Sequence, residues 1–191
     1  MKKIFFFILL GIILIGNISI VYADFVDISD PLEGTYFFEG KDVADRTFKV
    51  QVEFDLWKDV SLGLYQYRYQ VINLADEANA EVEDIAIFHL ADITNQGVID
   101  VGNKGPDYWR DKNSIAEYKW RDLGLEENET SNWFWLTSSG KPGLLNASVY
   151  GSGGSYAQEK IPTPVPTPEP YSFIIIGIGL ILFFYKKQIF V

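Results

Sequence analysis

From Thr47 to Leu56 the chain alternates without interruption. Phe48, Val50, Val52, Phe54 and Leu56 are apolar, and Thr47, Lys49, Gln51, Glu53 and Asp55 between them are polar. A side-chain period of two belongs to a β-strand with one dry and one wet face, and no helix can present it. Such a strand needs partners beside it and a second layer over its apolar face. Leu64 to Asn73 repeats the device, with Tyr65, Tyr67, Tyr69 and Val71 on one face and Gln66, Arg68 and Gln70 on the other. Residues 83–90, 115–123, 132–137 and 144–150 read as further strands, and residues 34–39 as an earlier one. Turn-forming residues separate them at 40–42, 59–63, 76–79, 102–107 and 140–143, and residues 126–130 read at most as a helical turn. The expected body is therefore all-β: an antiparallel β-sandwich, jelly-roll or Ig-like, with a barrel as the alternative.

The two ends of the chain obey a different rule. Met1-Lys2-Lys3 is followed by an apolar run from Ile4 to Gly16, and small or medium residues at Val21 and Ala23 precede the first acid, Asp24. That order is expected of a secretory signal helix over residues 1–23, cut by signal peptidase between Ala23 and Asp24; an uncleaved anchor helix is the competing reading. At the other end, Gly151 to Ser155 has the composition of a flexible linker, and five of the eight prolines fall between Pro162 and Pro170. Prolines at alternate positions predict extended polyproline II, about 28 Å long over nine residues. Tyr171 to Tyr185 is an uncharged apolar run closed by Lys186 and Lys187. As a helix it is about 22 Å long, short for a ~30 Å hydrocarbon core, with the lysine pair as a basic stop on the cytoplasmic side. The domain plan is thus a signal peptide (1–23), a β-sandwich domain (24–150), a linker (151–170) and a single transmembrane helix (171–191).

Pro168-Glu169-Pro170, a short apolar helix and a basic end, in that order, resemble the PEP-CTERM sorting signal of Gram-negative bacterial surface proteins. The resemblance covers roughly the last 24 residues, and this chain has only two lysines in the basic cluster and an apolar ending, Ile189-Phe190-Val191. It implies recognition of Pro168, Glu169 and Pro170 by exosortase, a membrane-embedded cysteine transpeptidase. An inner-membrane precursor would then be released to the cell surface or an extracellular polysaccharide matrix. Two rigid prolines around a single charge leave little conformational entropy to lose when an enzyme groove binds the segment.

The residues between the two apolar ends narrow the chemistry. Residues 24–160 carry 25 Asp and Glu against 12 Lys and Arg, a formal charge of −13. That argues against nucleic acid as a partner, because phosphates require cations. Without cysteine there are no disulfides, thiol nucleophiles or cysteine metal sites. His89 is the one histidine and reads as structural or exposed. Gly153-Gly154-Ser155-Tyr156-Ala157 looks superficially like a nucleophile elbow but has no α/β sheet around it. The body is therefore expected to be non-catalytic, with an extracellular hydrolase built on a carboxylate pair as a distant alternative. Asp24, Asp27, Asp30, Glu33, Asp76 and Glu77 offer oxygen ligands for a weakly held calcium ion, without the regular spacing of a calcium loop; no cofactor or resident metal is expected. Among Trp57, Trp109, Trp120, Trp133 and Trp135, the turn-rich setting of Trp109 makes it the best single candidate for an exposed ring contacting a glycan, the basis of a second reading as a carbohydrate-binding module.

Overall fold

The computed structural model describes residues 25–75 and 77–167, and these form an antiparallel sheet of eleven strands. In chain order they are β1 (Val26–Asp27), β2 (Gly34–Lys41), β3 (Thr47–Asp59), β4 (Leu64–Asn73), β5 (Val82–Phe88), β6 (Ile93–Ile99), β7 (Tyr108–Lys112), β8 (Ile115–Lys119), β9 (Trp133–Ser138), β10 (Lys141–Gly151) and β11 (Ser155–Val165). The hydrogen-bonded order is β6-β9-β4-β3-β2-β11-β10-β5-β8-β7, with β1 on the far end of β3. The signal peptide with its Ala23–Asp24 junction, the sorting motif Pro168-Glu169-Pro170, the apolar run and Lys186-Lys187 lie outside the described residues. Among the described residues, no helix is long and apolar enough to cross a membrane.

The period-two reading of β3 holds along its length: Phe48, Val50, Val52, Phe54 and Leu56 are buried. On β4, Tyr67, Tyr69 and Val71 face the same core. From the other side come Ile85 and Ile87 of β5, Ala116 and Tyr118 of β8, and Ala147, Val149, Ala157 and Ile161 of β10 and β11. Phe134 of β9 sits amid Tyr69, Tyr118 and Trp120, at ring-centroid distances of 5.8, 4.4 and 6.1 Å. Long tyrosines tie the facing strands together: Tyr69 donates to the Pro162 carbonyl (2.8 Å) and Tyr118 to that of Trp135 (2.8 Å). Burial pushes both phenols far above their ordinary value, so each stays a neutral donor.

Between β2 and β11 the pairing narrows to Tyr156↔Lys41 and Ala157↔Gly40. Gly40 is required there, since a Cβ would stand 1.8 Å from the Tyr156 carbonyl oxygen.

Two expectations are corrected. The linker is not a linker over residues 151–165. Ser152–Gly154 make one 3₁₀ turn with Gly153 and Gly154 at φ of +67° and +74°, so the glycines serve a tight β10–β11 reversal. Ser155–Val165 then pair with β10 along their whole length, and the domain runs past residue 150 to Val165. The prolines do not break this strand because they share its phase. The Pro162 carbonyl accepts from Tyr69, and the Pro164 carbonyl from the amides of Leu90 and Ala91. Their missing N–H groups therefore point away from β10, and no ladder bond is lost. The second correction concerns residues 106–113: Tyr108–Lys112 is strand β7, joined to β8 by a two-residue turn at Asn113 and Ser114, both at positive φ. Strands β1 and β6 were also unforeseen; β6 carries Asn95, Gln96 and Gly97 and lacks an apolar period.

Candidate functional site

The outward face of β11, β10, β5, β8 and β7 concentrates the surface chemistry. Directly opposed residues in an antiparallel ladder share a face. Register therefore places Tyr156, Tyr150, Asp84, Lys119 and Tyr108 in one row across five strands. Gln158, Ser148, Ala86, Glu117 and Arg110 form the next row. Tyr150 and Tyr156 are 42% and 41% exposed, their rings 5.2 Å apart and tilted by 48°. The Ser148 hydroxyl lies 3.3 Å from the Tyr156 hydroxyl. At the other end of the row, the Arg121 guanidinium covers the Tyr108 ring at 3.4 Å. A cleft of about 410 Å³ opens beside Tyr150, lined also by Asp84, Lys119, Arg121, Glu83 and Asp122.

Four charges bind the middle of this face. Lys119 Nζ lies 2.8 Å from Asp84 Oδ2 and 2.9 Å from Glu117 Oε1, and Arg110 Nε donates to Glu117 Oε2 at 2.5 Å. The two carboxyls differ in environment. Burial pushes Asp84 up to about 6 against the opposing hydrogen bond and charge of Lys119, and neighbouring Glu117 adds to the rise. Burial would raise Glu117 too, yet hydrogen bonds from Lys119 and Arg110 hold it below its ordinary value. Asp84 Oδ1 is buried and has no hydrogen-bond partner, which is where that burial cost falls. A raised acid beside a lowered one is the electrostatic pattern of a general acid with its partner. Here, however, both carboxyls are anchored by cations and only 13% and 15% exposed.

Trp109 is 40% exposed, as expected, although it stands on strand β7 and not in a turn; it opposes Tyr118 in register and so lies on the side of β7 away from the tyrosine row. Trp120 is buried and donates to the Lys104 carbonyl. Trp57 carries the Arg68 guanidinium 3.7 Å from its ring centre and donates to Asp55. Trp133 and Trp135 turn their half-buried rings outward while Phe134 points into the core. His89 is buried, with Nδ1 2.8 Å from the Ala91 carbonyl and Nε2 2.8 Å from Asp111. Both ring nitrogens are engaged, so none is open to serve as a base. Ser155 of the apparent nucleophile elbow is buried and donates to the Ser152 carbonyl.

Of the acids nominated for calcium, Asp24 and Asp76 lie outside the described residues. Asp30 accepts from the Leu32 amide, and Glu77 accepts from Thr47. Asp27 and Glu33 do converge, with Asp55 as an unforeseen third, their oxygens within 4.8 Å of one another. Protein donors already serve them: the Ser29 amide on Asp27, the Leu56 amide on Glu33 and Trp57 on Asp55, with Arg68 opposite Asp55 in register.

The tyrosine row went unseen in the sequence because its members come from five separated strands. The period-two phase of residues 144–150 does put Tyr150 opposite in sense to buried Val149, and that was the one local signal. No family model, curated protein or solved structure matches this chain.

Proposed function

We propose that this is an exported, non-catalytic bacterial surface or extracellular-matrix protein. Signal peptidase removes its leader, and exosortase processes an inner-membrane precursor at the PEP-CTERM-like signal. The observation that carries this reading is the order of parts along the chain: leader, acidic body, Pro168-Glu169-Pro170, apolar run, lysine pair. The fold is consistent with it. Strand β11 ends at Val165, so the motif starts only three residues beyond the sheet. Even fully extended, the five residues from there to Pro170 reach no more than about 18 Å, which keeps the precursor's body close to the bilayer. We read the body as a sandwich whose halves are β6-β9-β4-β3-β2 and β11-β10-β5-β8-β7, continuous only at the narrow β2–β11 pairing. A net negative charge favours solubility outside the cell. The engaged nitrogens of His89 and the clamped Asp84–Glu117 pair favour a non-catalytic body over a hydrolase.

A second reading, a carbohydrate-binding module associated with exopolysaccharide, is favoured by the exposure of Tyr150 and Tyr156 side by side on one face, with Trp109 on the other side of β7 and outside that pair. The sorting proposal is tested with Glu169→Ala in the native host. Accumulation of full-length precursor in the inner membrane is the expected result; release at the wild-type rate would refute recognition through Glu169.

A further inference from the structure

We infer that the outward face of β11, β10, β5, β8 and β7 is a binding platform for a neutral pyranose oligosaccharide, with Tyr150 and Tyr156 as its stacking rings. This gives the second reading a place and a ligand class. It is independent of the sorting signal: a failed binding assay would leave export intact, and normal release of Glu169→Ala would leave the platform intact.

Three observations converge. The first is ring exposure where stability does not demand it. Buried aromatics already fill this core, from Phe38 to Phe134, yet two neighbouring tyrosines stand more than two-fifths exposed, side by side across β10 and β11. Their centroids are 5.2 Å apart, and neighbouring strands repeat at about 4.8 Å. A run of pyranose units crossing the strands would meet a new side chain about once per sugar. The C–H-rich face of a pyranose chair is apolar and packs against an exposed aromatic ring.

The second is the polar frame. Gln158 lies in the adjacent row as an exposed amide that can both donate and accept, while buried Ser148 sets its hydroxyl 3.3 Å from that of Tyr156. Beyond Tyr150 the cleft of about 410 Å³ continues the row, with Lys119 and Arg121 as donors and Glu83 and Asp122 as acceptors on its lining.

The third is charge. Within the two rows Asp84 and Glu117 are matched by Lys119 and Arg110, so no cation is left over for an anionic sugar. Around the cleft Glu81, Glu83 and Asp122 add negative charge against Arg121 alone. A uronate or sulfate would be repelled there, whereas hydroxyl groups find both donors and acceptors.

The test uses the full chain in a non-glycosidic zwitterionic detergent. Calorimetric titration is run with three neutral hexasaccharides (β-1,4-glucan, β-1,3-glucan and β-1,4-mannan) and with a hexamer of alginate. At least one neutral hexamer is expected to bind at up to millimolar concentration, and the alginate hexamer more weakly than it. Tyr150→Ala and Tyr156→Ala should each weaken binding about tenfold, corresponding to loss of one stacking contact. Tyr150→Phe keeps the ring and should retain most of the affinity, and Trp109→Ala should change nothing. Circular dichroism and melting of each variant separate lost binding from lost fold. Failure of all three neutral hexamers, preference for alginate, or indifference of binding to both tyrosine-to-alanine changes in folded protein would each overturn the platform.

Discussion

Replacing Asp84 by Asn should make the protein more stable at neutral pH and leave it unchanged near pH 4. The carboxyl sits on the outer face of β5 at 13% exposure, with Oδ2 on Lys119 and Oδ1 enclosed without a partner. Burial raises it from 3.8 to about 6 in the folded protein. Below pH 3.8 both folded and unfolded chains hold the proton, and the group costs nothing. As pH rises from there to about 6, the unfolded chain releases its proton while the folded chain retains it, so stability falls. Above pH 6 the loss is complete and constant. In the limit of full burial the displacement corresponds to about 3 kcal/mol, and solvent access to the carboxyl reduces this to about 2 kcal/mol. Asparagine keeps an oxygen for Lys119 and an N–H where the acid held its proton, while Lys119 retains Glu117. Urea denaturation of residues 24–167 at pH 4 and pH 8 measures the difference. Asp84→Asn should gain about 2 kcal/mol at pH 8, or about 6 °C in melting temperature for a chain of this size, and close to zero at pH 4. An equal effect at both values, or a loss at pH 8, would refute a raised carboxyl at this position.

Gly40→Ala should destabilise by on the order of 3 kcal/mol or abolish folding, since its Cβ would overlap the Tyr156 carbonyl where β2 meets β11; urea melts measure it. Tyr69→Phe should cost about 1–2 kcal/mol in the same assay, because it strands the buried Pro162 carbonyl between facing strands. Calcium at 1 mM should add no more than about 0.4 kcal/mol, the stabilisation from a site with a millimolar dissociation constant. The reason is that Asp27, Glu33 and Asp55 are already served by protein donors and by Arg68; a melting-temperature rise of several degrees would contradict this.

The strand character of β3 and β4 and the all-antiparallel class were legible from periodicity alone. Each depends on neighbours within a few residues, an alternation that commits one face to the core. The linker was misread because Gly-Ser and alternating Pro have the same composition in a free chain and in a hairpin. Only pairing with β10 and the carbonyl contacts of Pro162 and Pro164 distinguish them. Strand β7 was hidden for a similar reason, since Arg110, Asp111 and Lys112 on an edge carry no apolar period. The row from Tyr156 to Tyr108, the clamped pair Asp84 and Glu117, and the convergence of Asp55 on Asp27 and Glu33 could be decided only by tertiary structure. A single sequence states which way each side chain faces along its own strand. Which strands become neighbours beyond each hairpin, and in what register, is settled by packing between distant parts of the chain, as where Asp84 pairs with Lys119 on one side and Tyr150 on the other.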